Sequence, residues 1–185
     1  MKGEPFEHDG RHIHVTPEPV TPGGPLISWG GGSKAAARRA GRHGLNLLGQ
    51  IDTPGIREAY EDECRAQGRE PGMCMLSSAD AITTVFVADD VDRGWDEIGP
   101  YLMHDALMYG AWNPDRVSAS VSQAQSIEEL RAEPGGAQIW SVEQAVDAIK
   151  TGQGLPLMPL CGGVPPELAW QYLRRVVVDV LPATK

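Results

Sequence analysis

Gly30, Gly31, Gly32 and Ser33 stand between an apolar run at residues 25–29 and an alanine-rich stretch at residues 34–40. Without side chains, consecutive glycines let main-chain N–H groups approach a phosphate, and a helix opening at Ser33 adds partial positive charge at its N-terminus. The Ser33 hydroxyl can donate one further hydrogen bond. The same residues also suit a tight strand-to-helix turn with a capping serine and no ligand.

Other residues with chemical potential are more scattered. Cys161-Gly162-Gly163 follows a candidate strand at residues 155–160 and could rim a pocket. It could equally be a turn into a helix begun by Pro165 and Pro166. A reactive Cys161 requires a stabilised thiolate, and no basic residue adjoins it in the chain. His12 and His14 share one face of a short strand, but no further ligands are identifiable, so no metal site is expected. His104 and Asp105 could orient a substrate or exchange protons, yet neighbours on a helix face different directions, which favours a surface or packing role. Trp29 could stack on a ring system or simply fill a strand end. No nucleophile with an adjacent base can be identified, so the catalytic residues are not legible.

These residues need elements to hold them. Residues 25–29 form a strand candidate, Ser33 an N-cap, and Gly41 or Gly44 a helix stop with Arg38, Arg39 and Arg42 near the negative end. Residues 45–48 give a second strand, with Thr53 and Pro54 in N-cap and first-turn positions of a helix whose Ile56, Tyr60 and Cys64 share a face. Residues 81–87, rich in β-branched side chains, precede Asp89-Asp90 and a helix carrying Val91, Trp95, Ile98 and Leu102 on one side, with a kink expected at Pro100. Ser141 and Gln144 form a capping-box pattern, and residues 155–160 read as a fourth strand despite two prolines. The last helix carries Leu168, Tyr172, Leu173, Val176, Val177 and Val180 as an apolar stripe. Residues 1–24 read as a leading loop or hairpin, and residues 113–140 as an irregular insertion.

Four strand-then-helix units in series imply α/β architecture with parallel strands joined by right-handed crossovers. The expected fold is a partial (β/α)8 TIM-type barrel of about four C-terminal strand-helix units, with residues 1–185 as a single domain. A formal net charge of −9 disfavours nucleic acid and anionic membranes as partners. No apolar stretch approaches the roughly 20 residues of a spanning helix. The polar, acidic first residues lack the core of a secretory signal, so a cytoplasmic location is expected. Cys64, Cys74 and Cys161 are odd in number and widely spaced, the pattern of reduced thiols.

Several segments together resemble the luciferase-like monooxygenase family. They are Gly3-Glu4-Pro5-Phe6, Asp9-Gly10-Arg11, Val15-Thr16-Pro17 and the turn at residues 29–37. Further on come Trp95-Asp96-Glu97-Ile98-Gly99-Pro100-Tyr101, residues 107–112 beside His104-Asp105, and Pro159-Leu160-Cys161-Gly162-Gly163-Val164-Pro165-Pro166. Their order matches the C-terminal half of that family's barrel, so the chain is expected to begin in mid-barrel, since a full barrel needs roughly 250 residues.

The resemblance implies a flavin-dependent oxidoreductase acting on a small-molecule substrate, with FMN or a deazaflavin coenzyme as cofactor. It also implies that Gly30, Gly31, Gly32 and Ser33 help hold the cofactor's phosphate end. A half barrel exposes sheet edges, so a homo-oligomer or a separate N-terminal half-barrel is the expected protein partner. A non-catalytic remnant or interaction subunit is the alternative.

Overall fold

The computed structural model describes residues 3–22, 24–114 and 118–185. Met1, Lys2 and Gly23, within the expected leading loop, and residues 115–117, within the expected insertion, lie outside the described residues. The chain forms two compact units: Met1–Leu48 with Gly55–Met75, and Gly49–Pro54 with Leu76–Lys185.

The first unit opens with an antiparallel hairpin of β1 (Phe6–His8) and β2 (Arg11–Ile13). Asp9 and Gly10 turn it with positive φ at both central positions, the geometry that matches strand twist in a two-residue loop. A three-stranded sheet follows in the order β3 (Ser28–Gly30), β4 (Asn46–Gly49), β5 (Cys74–Leu76), with β3 and β4 parallel and Trp29 opposite Leu47.

Between β3 and β4 runs α1 (Lys34–His43), which ends at Gly44 in the left-handed region, as its C-cap position requires. Helix α2 (Ile56–Ala66) buries Ile56, Tyr60 and Cys64 along one face. The two helices approach so closely that a Cβ on Gly41 would lie 2.8 Å from the Tyr60 carbonyl oxygen. The Tyr60 hydroxyl donates to Leu45 O (3.0 Å) and accepts from Gly72 N–H (3.0 Å), tying α2 to both flanking segments.

The second unit is built on parallel strands β6 (Ile82–Ala88) and β7 (Gly136–Ser141), paired with Phe86 opposite Ile139. Side-chain alternation along β6 divides the core. Phe86 and Ala88 join Trp95, Ile98 and Leu102 of α3 (Val91–Trp112) and Tyr172 of α6 (Pro166–Arg175). Val85 and Val87 face α5 (Val142–Lys150) and Val176 and Val180 of the π-helical turn Val176–Val180. Helix α4 (Ile127–Ala132) covers α3, and the short α7 (Leu181–Ala183) ends the chain. Asp90 caps α3, and Ser141 with Gln144 forms the expected capping box on α5.

Four expectations change. The insertion at residues 113–140 carries α4 and most of β7, whose short apolar run is too brief to show a period. Residues 155–160 form no ladder, because Pro156 and Pro159 lack N–H donors. The segment instead lies along β6 through Val85 N–H to Pro156 O (2.8 Å) and Met158 N–H to Thr84 Oγ1 (3.0 Å). Helix α2 starts at Ile56 behind Gly55 at φ 81°, with no side-chain cap, so Thr53 and Pro54 precede its first turn. Val177, expected in the buried stripe of the last helix, is exposed because the π-helical turn rotates it outward.

The architecture is mixed α/β, and among the described residues the sheets are two-, three- and two-stranded without closing into a barrel. No described helix is long and apolar enough to cross a membrane.

Candidate functional site

The glycine loop lies where β3 meets α1, in the first unit. Gly30 ends β3, is exposed, and would project a Cβ into open space, with nothing within 4 Å. Gly31 is glycine for a different reason: a Cβ there would sit 2.5 Å from Ala36 Cβ, so the loop can fold over the first turn only without a side chain. Its N–H bonds to Leu48 O (2.9 Å) and is spent on the sheet. Ser33 is the N-cap, its Oγ accepting from Ala36 N–H (3.2 Å). That bond uses an oxygen lone pair and leaves the hydroxyl hydrogen able to donate outward.

The N–H groups of Lys34 and Ala35 belong to the first turn and have no intrahelical acceptor. The Lys34 ammonium adds full charge, its Nζ lying 2.7 Å from the position a Cβ on Gly55 would take, at the uncapped N-terminus of α2. The Lys34 side chain thus reaches the uncapped N-terminus of α2, while the Ser33 hydroxyl and the first-turn N–H groups of α1 follow Gly30 in the chain. Donors of this kind suit an anion such as a phosphate. Lys34 and Gly55 were not anticipated. The signal for Lys34 was its place directly after the capping serine, whereas Gly55 is recruited by packing and left none.

Trp29, beside the loop, is half-buried and stacked on His43 of α1, with ring centroids 6.1 Å apart and planes at 12°. It braces strand against helix. His12 lies on the exposed hairpin, its Nδ1 3.0 Å from Glu7 Oε1, while His14 follows β2 and belongs to no strand.

Residues 1–148 match the family model for luciferase-like monooxygenases. The chain belongs to the luciferase-like monooxygenase family. No curated protein matches it significantly. Membership makes an oxidoreductase-type activity the family expectation, and it covers both the glycine loop and the helix carrying His104 and Asp105.

A second concave region of this family member lies wholly within the second unit, a cavity of about 250 Å³. Here two motifs read separately in the sequence come together: Asp105 from α3 and Cys161 from the 3-10 turn Cys161–Gly163 both line it. Burial first, then the charge and hydrogen bond of Asp105, push the Cys161 thiol up to about 12. Cys161 is therefore a neutral donor and not a nucleophile. His104, next to Asp105, is exposed and does not line the cavity.

Tyr109 and Gln50 stand at the same cavity, with the Tyr109 hydroxyl 3.5 Å from Gln50 Oε1, and so does Glu133, which accepts from Ser122 Oγ (2.8 Å). None of these four was singled out from the sequence. Ser122 and Glu133 lie in the stretch without periodicity, Tyr109 near the end of α3 and Gln50 just after β4, and only tertiary folding brings them to one cavity.

Proposed function

We propose that this chain is a flavin-dependent monooxygenase-type oxidoreductase acting on a small organic substrate, with the loop of Gly30, Gly31, Gly32 and Ser33 holding the cofactor's phosphate. The carrying observation is the glycine turn at the end of β3, with open space at Gly30 beside the N-terminus of α1, in a member of the luciferase-like family. Main-chain N–H groups of the first turn, the Ser33 hydroxyl and the Lys34 ammonium supply the donors. FMN is the proposed cofactor, and a deazaflavin, with the same kind of phosphate, is the alternative. When bound, a reduced flavin supplies oxygen-transfer chemistry and a deazaflavin supplies hydride transfer, so the protein's task is placement.

The strand-helix order within each unit supports reading the chain as about four units from the C-terminal part of a (β/α)8 barrel. Exposed Leu26 and Met75 favour a protein partner, either a second copy or a separate N-terminal half-barrel. A location in the cytoplasm accompanies this reading.

The test is a fluorescence titration of the purified chain with FMN, run beside light scattering. Saturable binding that Gly31→Asp abolishes, through a carboxylate placed at the loop, is the expected result. A folded chain of either oligomeric state that binds no flavin, or a variant that binds as well as the parent, overturns the assignment of the loop.

A further inference from the structure

Helix α6, the π-helical turn Val176–Val180 and α7 run on as one helix that is apolar on two sides. The inner side is closed, with Ala169, Tyr172, Val176 and Val180 buried. The outer side shows Trp170, Val177, Val178 and Leu181 at 60%, 57%, 65% and 46% exposure. Counted from Trp170, the last three stand at i+7, i+8 and i+11, the spacing that stacks side chains along one side of a helix. Arg174, at i+4, stands exposed among them, and Asp179 is exposed next to Val178.

Single apolar side chains on a surface need no explanation, but four on consecutive turns form a contiguous patch of the kind that marks an interaction site. Two details strengthen that reading. Tryptophan is enriched among the side chains that anchor protein interfaces. The π-helical turn rotates Val177 outward, and such turns occur mostly at functional sites.

The charges on the face select its partner. Arg174 and Asp179 form no ion pair with a described residue, and they flank Val176–Val178 with opposite sign. A second copy laid antiparallel across this face, about a two-fold axis beside Val176, brings Arg174 of each copy to the partner's Val178 and Asp179. The same operation brings Trp170 of each copy to the partner's Leu181, and every contact is made twice. A parallel copy would set arginine against arginine and aspartate against aspartate, which like-charge repulsion disfavours.

We propose that this face joins two copies of the chain as an antiparallel helix pair, with Trp170 packed on the partner's Leu181 and Arg174 paired with the partner's Asp179. The inference is separate from the flavin reading and from the exposed Leu26 and Met75 of the first unit, since every residue it uses lies in the second unit.

The experiment is sedimentation equilibrium of the full chain without flavin at increasing concentration. The expected result is a dimer whose association Trp170→Lys weakens about tenfold or more. Arg174→Asp and Asp179→Arg should each weaken it as well, and the double variant should regain parental association, because the pair is restored with its signs exchanged. All these positions are exposed, and circular dichroism identifies the folded variants. A folded parent that stays monomeric overturns the proposal. So does a dimer that Trp170→Lys leaves intact, or a pair of charge reversals that the double variant does not rescue. Flavin titration of the same variants should match the parent, so loss of the dimer leaves the cofactor reading standing, and absence of flavin binding leaves the dimer result unchanged.

Discussion

Gly162 rests directly on the main-chain carbonyl of Tyr101, so close that a Cβ at residue 162 would overlap that oxygen. The contact is backbone against backbone, and neither partner can rotate away. Gly162 also sits at φ 62°, which L side chains adopt at a cost of roughly 1–2 kcal/mol. Gly163, its neighbour at φ 84°, meets nothing within 4 Å. Gly163→Ala should therefore lose only the backbone term, about 1–2 kcal/mol. Gly162→Ala should lose that and an overpacking cost of about 1–3 kcal/mol more. Urea unfolding of the two variants measures the difference, and equal losses would show that the turn moves freely off α3.

Cys161 should be inert toward alkylation at neutral pH despite lining an open cavity. Its thiol is pushed up to about 12 by burial and then by Asp105. The folded value lies above that of an unfolded cysteine, so the neutral thiol's contribution to stability is complete below about pH 8.5. It is lost as pH rises toward the folded value. Iodoacetamide labelling followed by mass spectrometry should show residue 161 unmodified at pH 8 in the parent. Faster labelling is expected in Asp105→Asn, where the charge that opposes the thiolate is gone. Rapid labelling of the parent at pH 8 would contradict the arrangement.

Two glycines of the loop should separate packing from ligand binding. Gly31→Ala places a methyl 2.5 Å from Ala36 Cβ and should loosen the start of α1 by about 1–3 kcal/mol. Gly30→Ala meets open space at an ordinary φ and should fold as stably as the parent. If the loop holds a cofactor phosphate, that methyl occupies the approach path and lowers FMN affinity about tenfold, which is 1.4 kcal/mol. Thermal melts and flavin titration of both proteins read the two effects, and unchanged affinity in Gly30→Ala would move the phosphate away from β3.

The loop was legible because its signals are local: the glycines, the capping Ser33 and the alanines of α1 lie consecutively in the chain. The same holds for Asp90, for the Ser141 and Gln144 box, and for the buried face of Ile56, Tyr60 and Cys64. The errors arose where tertiary contact decides. Strand β7 is recognisable only by its pairing with β6, while residues 155–160 carry a strand-like composition that two missing N–H groups prevent from pairing. The junction of Asp105 with Cys161 was illegible for a related reason. Each residue alone is an ordinary polar side chain, and their meeting depends on Gly162 allowing the turn to dock on α3.

The acid stability of the second unit should depend on Glu97. Its Oε1 accepts from Arg93 Nε (2.7 Å) and its Oε2 from the Tyr172 hydroxyl (2.8 Å), which joins α3 to α6. The Arg93 hydrogen bond first, and the Tyr172 bond second, hold the Glu97 carboxyl below the usual carboxylate range. A depressed folded value means that the contribution is present above the unfolded value of about 4.3 and lost as pH falls through the folded one.

Tyr172→Phe removes the weaker of the two causes and should cost about 1 kcal/mol at pH 7, with a shallower decline in acid. Arg93→Met removes the stronger cause and should flatten the acid limb further. The phenol titrates in the opposite sense: burial, then Glu97, raise the Tyr172 value, so its neutral form stabilises below about pH 10 and is lost above it. Urea midpoints measured from pH 2.5 to 11 separate the limbs. An acid limb identical in parent, Tyr172→Phe and Arg93→Met would show that Glu97 does not govern it.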